Sequence, residues 1–199
     1  MTTTTIEFFF DPASPYTYLA STQIDAVAAR ANVAVVWKPF VLGKAFEATG
    51  NRMPAAIPAK GKYLFADIQR WAVHYGVPLN MPKIFPINSL LALRAACAAS
   101  EAERPALAKA VMRAYWADGA DIANPEVLAS IAESAGLDGA ALIAATQTQA
   151  VKDQLRSWTD EAVARGAFGA PTFFVGEQMF WGNDRLVLLE DYVSGKLVA

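Results

Sequence analysis

The sequence predicts an α/β protein whose small sheet is interrupted by a long helical block, and three observations carry that reading. The run TIEFFF (5–10) is β-branched and aromatic and stops at Asp11-Pro12, as a buried strand followed by a turn does. A helical pattern from Pro15 to about Ala31 puts Tyr18, Leu19, Ile24, Val27 and Ala28 on one face. The run NVAVVWKPF (32–40) then reads as a second strand ended by Pro39, so the first forty residues have the form of a right-handed βαβ unit.

Each element has its own local justification. Ser14 takes the N-cap place of the first helix, and Pro15 its first position, where a missing N–H costs nothing. GNRMPAAIPAKGKY (50–63) reads as a loop punctuated by Pro and Gly, after which residues 62–165 are rich in Ala with helical periodicity. KYLFADIQRWAVHYG ends at Gly76 with Pro78 beyond it, and NSLLALRAACAAS, RPALAKAVMRAYWADG, NPEVLASIAESAG and DGAALIAATQ follow as short helices. A longer helix over about 147–165 leads to GAFGAPTFFV and GEQMFWG, a hairpin turning at Gly176-Glu177. NDRLVLLEDYVSG closes the chain as a helix capped by Asn183 or Asp184. This order is that of a thioredoxin fold with a large all-helical insertion: 1–40 and 149–199 form the thioredoxin-like domain, 41–148 the insertion.

Composition removes several classes of function. The 199 residues are 54% apolar and 18% charged, with a formal net charge of -2 and no run of Lys or Arg, so neither nucleic acid nor an anionic membrane surface is an expected partner. No apolar segment is long enough to span a bilayer, and MTTTTIEFFFD lacks the features of a secretory leader, so a soluble cytoplasmic protein is expected. The single cysteine, Cys97, lies among alanines and leucines, where it reads as a small buried hydrophobe, and it forbids an internal disulfide. The single histidine, His74, reads as an ordinary residue of its helix.

The chemistry concentrates at Ser14-Pro15-Tyr16-Thr17. A redox member of the thioredoxin fold places Cys-x-x-Cys here, because unpaired N–H groups and the helix dipole stabilise a thiolate. Both thiol positions of this chain carry hydroxyls, and without a base a serine hydroxyl is no credible nucleophile.

SPY, TGN, PAKGKY, DIQRWAVHYGVPL, FGAPT and WGNDRLVLLE, in that order along the whole chain, resemble the kappa-class glutathione transferases and the 2-hydroxychromene-2-carboxylate isomerases, relatives of the DsbA-type oxidoreductases. The resemblance implies that glutathione supplies the sulfur and that Ser14 donates a hydrogen bond to its thiolate. It implies a cis Pro171, leaving the backbone of Ala170 to pair with the cysteinyl part of the tripeptide. Asn183 and Asp184 then meet the γ-glutamyl end, while Asn51 and Lys60 reach glutathione from the helical side. Lys38, Lys44, Tyr63, Asn88 and Trp181, with Phe40, Trp71 and Phe85, are candidates to line an apolar pocket for a flat aromatic-derived acid. The 50–63 loop takes the transferase form, whereas DIQRWAVHYGVPL and WGNDRLVLLE lean to the isomerases.

A magnitude favours the isomerase. A fall in thiol pKa from about 8.5 to about 6.5 raises the thiolate population at neutral pH about twenty-five-fold. Intrinsic nucleophilicity falls about eight-fold along with it. The net gain in attack is small, whereas a weaker base leaves faster, so the arithmetic favours reversible addition and elimination. With that preference, the resemblance implies glutathione-dependent cis/trans isomerisation of an unsaturated 2-keto acid in aromatic catabolism, and it implies a homodimer. A kappa-like glutathione transferase or peroxidase is the enzymatic alternative, and a redox-inactive thioredoxin-fold binding module the non-enzymatic one.

Overall fold

A computed structural model describes residues 4–197; the first three and the last two residues lie outside them. Strands β1 (Thr5–Phe10), β2 (Ala34–Pro39), β3 (Thr172–Val175) and β4 (Gln178–Trp181) form one sheet in the order β2-β1-β3-β4. β1 and β2 are parallel, with Phe8 opposite Trp37, and the β1–β3 and β3–β4 pairs are antiparallel.

Alternation along β1 makes two cores. Ile6, Phe8 and Phe10 face one side, where the Phe8 ring lies 4.9 Å from Phe173 and 4.7 Å from Trp37. Phe9 faces the other, with Phe40, Ala45, Ala162, Ala167 and Phe174. The first side is covered by helices α1 (Pro15–Ser21), α2 (Ile24–Ala31) and α10 (Leu186–Val193), the second by α3 (Leu42–Thr49) and α9 (Gln149–Ala164). Between the sheet halves run α4 (Pro58–Tyr75), α5 (Leu90–Ala98), α6 (Arg104–Trp116), α7 (Pro125–Ser134) and α8 (Gly139–Ala145).

Several expectations need correction. The first helix is two helices, because the Ser21 and Thr22 hydroxyls donate to the carbonyls of Tyr18 and Leu19 at 2.6 and 2.7 Å and end the first one. Helix α3 escaped the sequence reading. Its first N–H, on Leu42, donates to Asp11 Oδ2 at 3.0 Å, a cap supplied by a loop 31 residues away, and Gly50 closes it at φ 69°. Helix α4 begins at Pro58, so Lys60 and Tyr63 are helical rather than in a loop. Neither Asn183 nor Asp184 caps α10; both lie in a 3-10 turn, Asn183–Arg185, that precedes it.

Candidate active site

The site grows from the loop between β1 and α1. Asp11, fully buried, accepts from the N–H groups of Ala13 (2.9 Å) and Leu42 (3.0 Å) and is bonded to Ser89, and its own carbonyl accepts the Ser14 N–H at 3.0 Å. Burial pushes the Asp11 carboxyl up, against the pull of those three donors. One side chain thus ties the Ser14 loop to the starts of α3 and α5.

Ser14 is 5% exposed and does two things at once. Its Oγ accepts the Thr17 N–H at 3.2 Å, as an N-cap does, and its hydroxyl donates to the carbonyl of Ala170 at 2.9 Å. The Ala170-Pro171 bond is cis, and so is Phe85-Pro86. The Ala170 backbone expected to be free therefore has its carbonyl engaged by Ser14. No base accepts the Ser14 proton. At the other thiol-equivalent position Thr17 Oγ1 is buried without a hydrogen-bond partner.

Around this mouth the chain assembles residues from four elements. The Asn51 amide donates to the carbonyl of Phe168 at 2.8 Å, and the Phe168 and Trp181 rings stand 4.8 Å apart. Gly169 permits that packing, since a Cβ there would sit 2.4 Å from Trp181 Nε1. Tyr16 donates to Asp67 of α4 at 2.8 Å, with Tyr63 and Asp184 close enough to act on it; burial first, and the Asp67 carboxylate second, push the Tyr16 phenol far up, so it stays a donor. Lys60, Tyr63 and Asp67 follow one another at helical spacing, so exposed Lys60 and Tyr63 extend the face that meets Tyr16. Tyr75 donates to the carbonyl of buried Asn183 at 3.2 Å, and the Asn183 amide faces the Tyr75 hydroxyl at 3.4 Å. Gly182, at φ 104°, lets Asp184 fold back over it, where a Cβ would meet Asp184 Oδ1 at 2.4 Å, and Asp184 pairs with Arg185 at 2.8 Å.

The candidates for an acid pocket do not stay together. Phe85 packs 5.9 Å from Trp116, whose indole N–H donates to the carbonyl of Pro12 in the Ser14 loop, while Tyr63 and Trp181 are exposed. Trp71 meets His74 edge-on and lies tilted against Tyr75 further along α4. Asn88 caps the start of α5, accepting the Leu90 N–H at 3.0 Å. Lys38 is a correction. It lies on the second face of the sheet, bonded to Glu7 at 2.5 Å and Glu161 at 2.8 Å, with Arg165 completing the quartet, so its charge is spent on structure. Phe40 is wholly buried on that face. Lys44 stands on α3 beside Glu47, at 2.7 Å, and lines a separate cleft. Cys97 is half-buried and its thiol is pushed up to about 12 by burial, which leaves it unreactive.

Tyr16, Asp67, Tyr75 and Arg185 were missed by the sequence reading. Tyr16 sits inside the SPY motif, and its neighbourhood was a usable signal; the other three become visible only once the chain has folded.

The donor set suits glutathione. A buried hydroxyl without a base can donate to a sulfur anion, Lys60 and Arg185 offer charge for two carboxylates, and Asp184 offers it for an ammonium. Residues 5–194 match the family model described as a DSBA-like thioredoxin domain. The chain is 36% identical over 193 residues to 2-hydroxychromene-2-carboxylate isomerase of Sphingobium xenophagum, covering 96% of this chain and 98% of that one. It is 29% identical over 207 residues to glutathione S-transferase kappa 1 of Homo sapiens, covering 96% and 92%. A solved structure of 2-hydroxychromene-2-carboxylate isomerase superposes with a TM-score of 0.88 at 30% identity, over 96% of this chain and 95% of that one.

Proposed function

We propose that this chain, which belongs to the DsbA-like thioredoxin family together with the 2-hydroxychromene-2-carboxylate isomerases, is itself a glutathione-dependent isomerase of that type. The observation that carries the reading is Ser14: a hydroxyl at the helix mouth, bonded to Ala170, with no thiol and no base beside it. When bound, glutathione supplies the sulfur nucleophile that the chain lacks.

The residues do the rest. Ser14 has one hydroxyl hydrogen, and to serve a sulfur anion that hydrogen must turn away from Ala170. Giving up a neutral hydrogen bond costs about 1 kcal/mol, and a bond to a charged group contributes about 1.5–3 kcal/mol, so the exchange is favourable. The same turn frees the Ala170 carbonyl to accept a backbone N–H from the tripeptide, as an added strand would provide. Thr17 N–H keeps the Ser14 oxygen in place throughout. Lys60, Asn51, Asn183, Asp184 and Arg185 hold the ends of the tripeptide. Tyr63, Phe85 and Trp181 form an apolar wall that excludes water from the reacting double bond of an aromatic-derived keto acid. Tyr16, held protonated beside Asp67, orders the rim between α1 and α4.

The isomerase relatives support this reading over the transferase one through their identity, 36% and 32% against 29% for the human kappa enzyme. The proposed setting is cytoplasmic aromatic catabolism and the proposed assembly a homodimer, to be checked by sedimentation. Among the described residues no helix is long and apolar enough to cross a membrane. The decisive assay follows interconversion of 2-hydroxychromene-2-carboxylate with and without glutathione, and conjugation of chloro-dinitrobenzene in parallel. Glutathione-dependent interconversion with little conjugation supports the isomerase. Interconversion that ignores glutathione, or conjugation alone, overturns it.

A further inference from the structure

A cleft of about 700 Å³ lies between α3, α5 and α9 and shares no residue with the Ser14 mouth. Its apolar wall includes Val41, Leu90, Leu155 and Val163. Its charged groups are the cations Lys44, Arg94, Lys152 and Arg156 against the acids Glu47 and Asp160, so positive charge prevails. Lys44 is neutralised by Glu47 at 2.7 Å, and Arg156 has Asp153 at 4.0 Å.

Arg94 is different. It is half-buried on α5, its Nε is sealed from solvent with no hydrogen-bond acceptor, and it forms no ion pair among the described residues. A guanidinium is always charged, and a buried donor on it that meets no acceptor is a cost even where the rest of the group reaches solvent. The more deeply buried guanidinium of Arg104 is fully provided for: it donates to the carbonyls of Ala96, Ala99 and Trp37 and lies over the Trp158 ring. The fold can therefore satisfy a buried arginine where it needs one for structure. Leaving the Arg94 Nε without an acceptor, on a side chain that lines an apolar concavity of ligand size, fits a group that completes itself with an incoming anion.

We propose that this cleft is a second binding site, for an organic carboxylate whose apolar body rests on Leu90, Leu155 and Val163 while its carboxylate takes the fork of Arg94. Lys152 and Arg156 add long-range attraction at the rim. The site is independent of glutathione and of Ser14.

The test is methyl NMR of Leu90, Leu155 and Val163 in the full chain, titrated with benzoate and, separately, with inorganic phosphate, each with and without saturating glutathione. Benzoate is expected to give saturable shifts that glutathione does not abolish and that survive in Ser14→Ala. In Arg94→Met the affinity is expected to fall about ten-fold or more, the loss of one charged hydrogen-bonded contact, with Arg94→Lys in between. Thermal melting gives a second readout: without benzoate Arg94→Met is expected to melt no lower than the parent, and benzoate to raise the melting temperature of the parent but not of the variant. No saturable shift, equal affinity in Arg94→Met, displacement by glutathione, or phosphate binding as well as benzoate overturns the proposal. So does an Arg94→Met chain that fails to fold while Arg94→Lys binds benzoate no differently from the parent.

Discussion

Two groups of charges in this molecule behave in opposite ways. On the second face of the sheet Glu7, Lys38, Glu161 and Arg165 form a closed quartet in which every charge has two opposite partners, and Arg165 also donates to the carbonyl of Gly176. At the Ser14 mouth the charges are open. Lys60 is exposed, Asp184 has only its neighbour Arg185 as an ion-pair partner among the described residues, and the Ser14 hydroxyl spends its hydrogen on a carbonyl that a ligand could take over. The difference separates scaffold from site. Charges that satisfy one another hold elements together, and those left partly satisfied at a mouth are available to bind.

Three substitutions break or sharpen the contrast. Asp11 belongs to the scaffold under the site, and Asp11→Ala leaves two buried N–H groups and a serine without acceptors; at about 1–3 kcal/mol for each buried donor left unmet, the urea midpoint is expected to fall by several kcal/mol in equivalent stability. A loss below about 1 kcal/mol would show that Asp11 does not tie the loops. Ser14→Ala is expected to cost about 10–100-fold in turnover, the value of one hydrogen bond to a charged group. Its cost in stability is only that of an N-cap, about 1 kcal/mol. Lys38→Met inverts that profile. It is expected to lower stability by about 1–2 kcal/mol, because Glu7 and Glu161 lose a shared cation in a half-exposed setting, while turnover per folded molecule stays unchanged. A selective loss of turnover would return Lys38 to the site.

The quartet also has a pH signature. Burial pushes the Glu7 carboxyl up, but hydrogen bonds from Lys38 and Arg165 outweigh it and hold Glu7 below its ordinary 4.5. A carboxyl lowered in the folded state contributes stability that is complete above about pH 4.5 and is lost as pH falls below it. Glu7→Gln is expected to be less stable than the parent near neutrality, where the contribution of the charged carboxyl is complete, and to flatten the profile in that acid range so that the two chains converge at low pH, measured by denaturation at each pH. An equally steep acid loss in the variant would assign the effect elsewhere.

What the sequence revealed follows from the range of the interactions involved. The TIEFFF strand, Pro at the first helical position of α1, and the Asn124 cap of α7, bonded to the N–H groups of Glu126 and Val127, are local and were readable. The end of α1 turns on whether Ser21 and Thr22 bond back to the helix, a choice that apolar periodicity does not record. Helix α3 depends on Asp11, and Lys38 finds Glu161 only across 123 residues. In the proposed site, Ser14, Asn51, Asp184 and Pro171 were candidates through motif order. Tyr16 with Asp67 and Tyr75 with Asn183 were not, because each pair joins elements that sequence spacing does not relate.

The central claim is that the reactive sulfur is borrowed and that Ser14 steadies its anion. The most direct measurement is the ultraviolet thiolate absorbance of glutathione bound to the protein, followed against pH in the parent chain and in Ser14→Ala. The account predicts saturable binding, a thiolate that appears at lower pH than in free glutathione, and a midpoint that moves back toward the free value in Ser14→Ala. A bound thiol that ionises as it does in solution, or a midpoint unmoved by the loss of the hydroxyl, would contradict it.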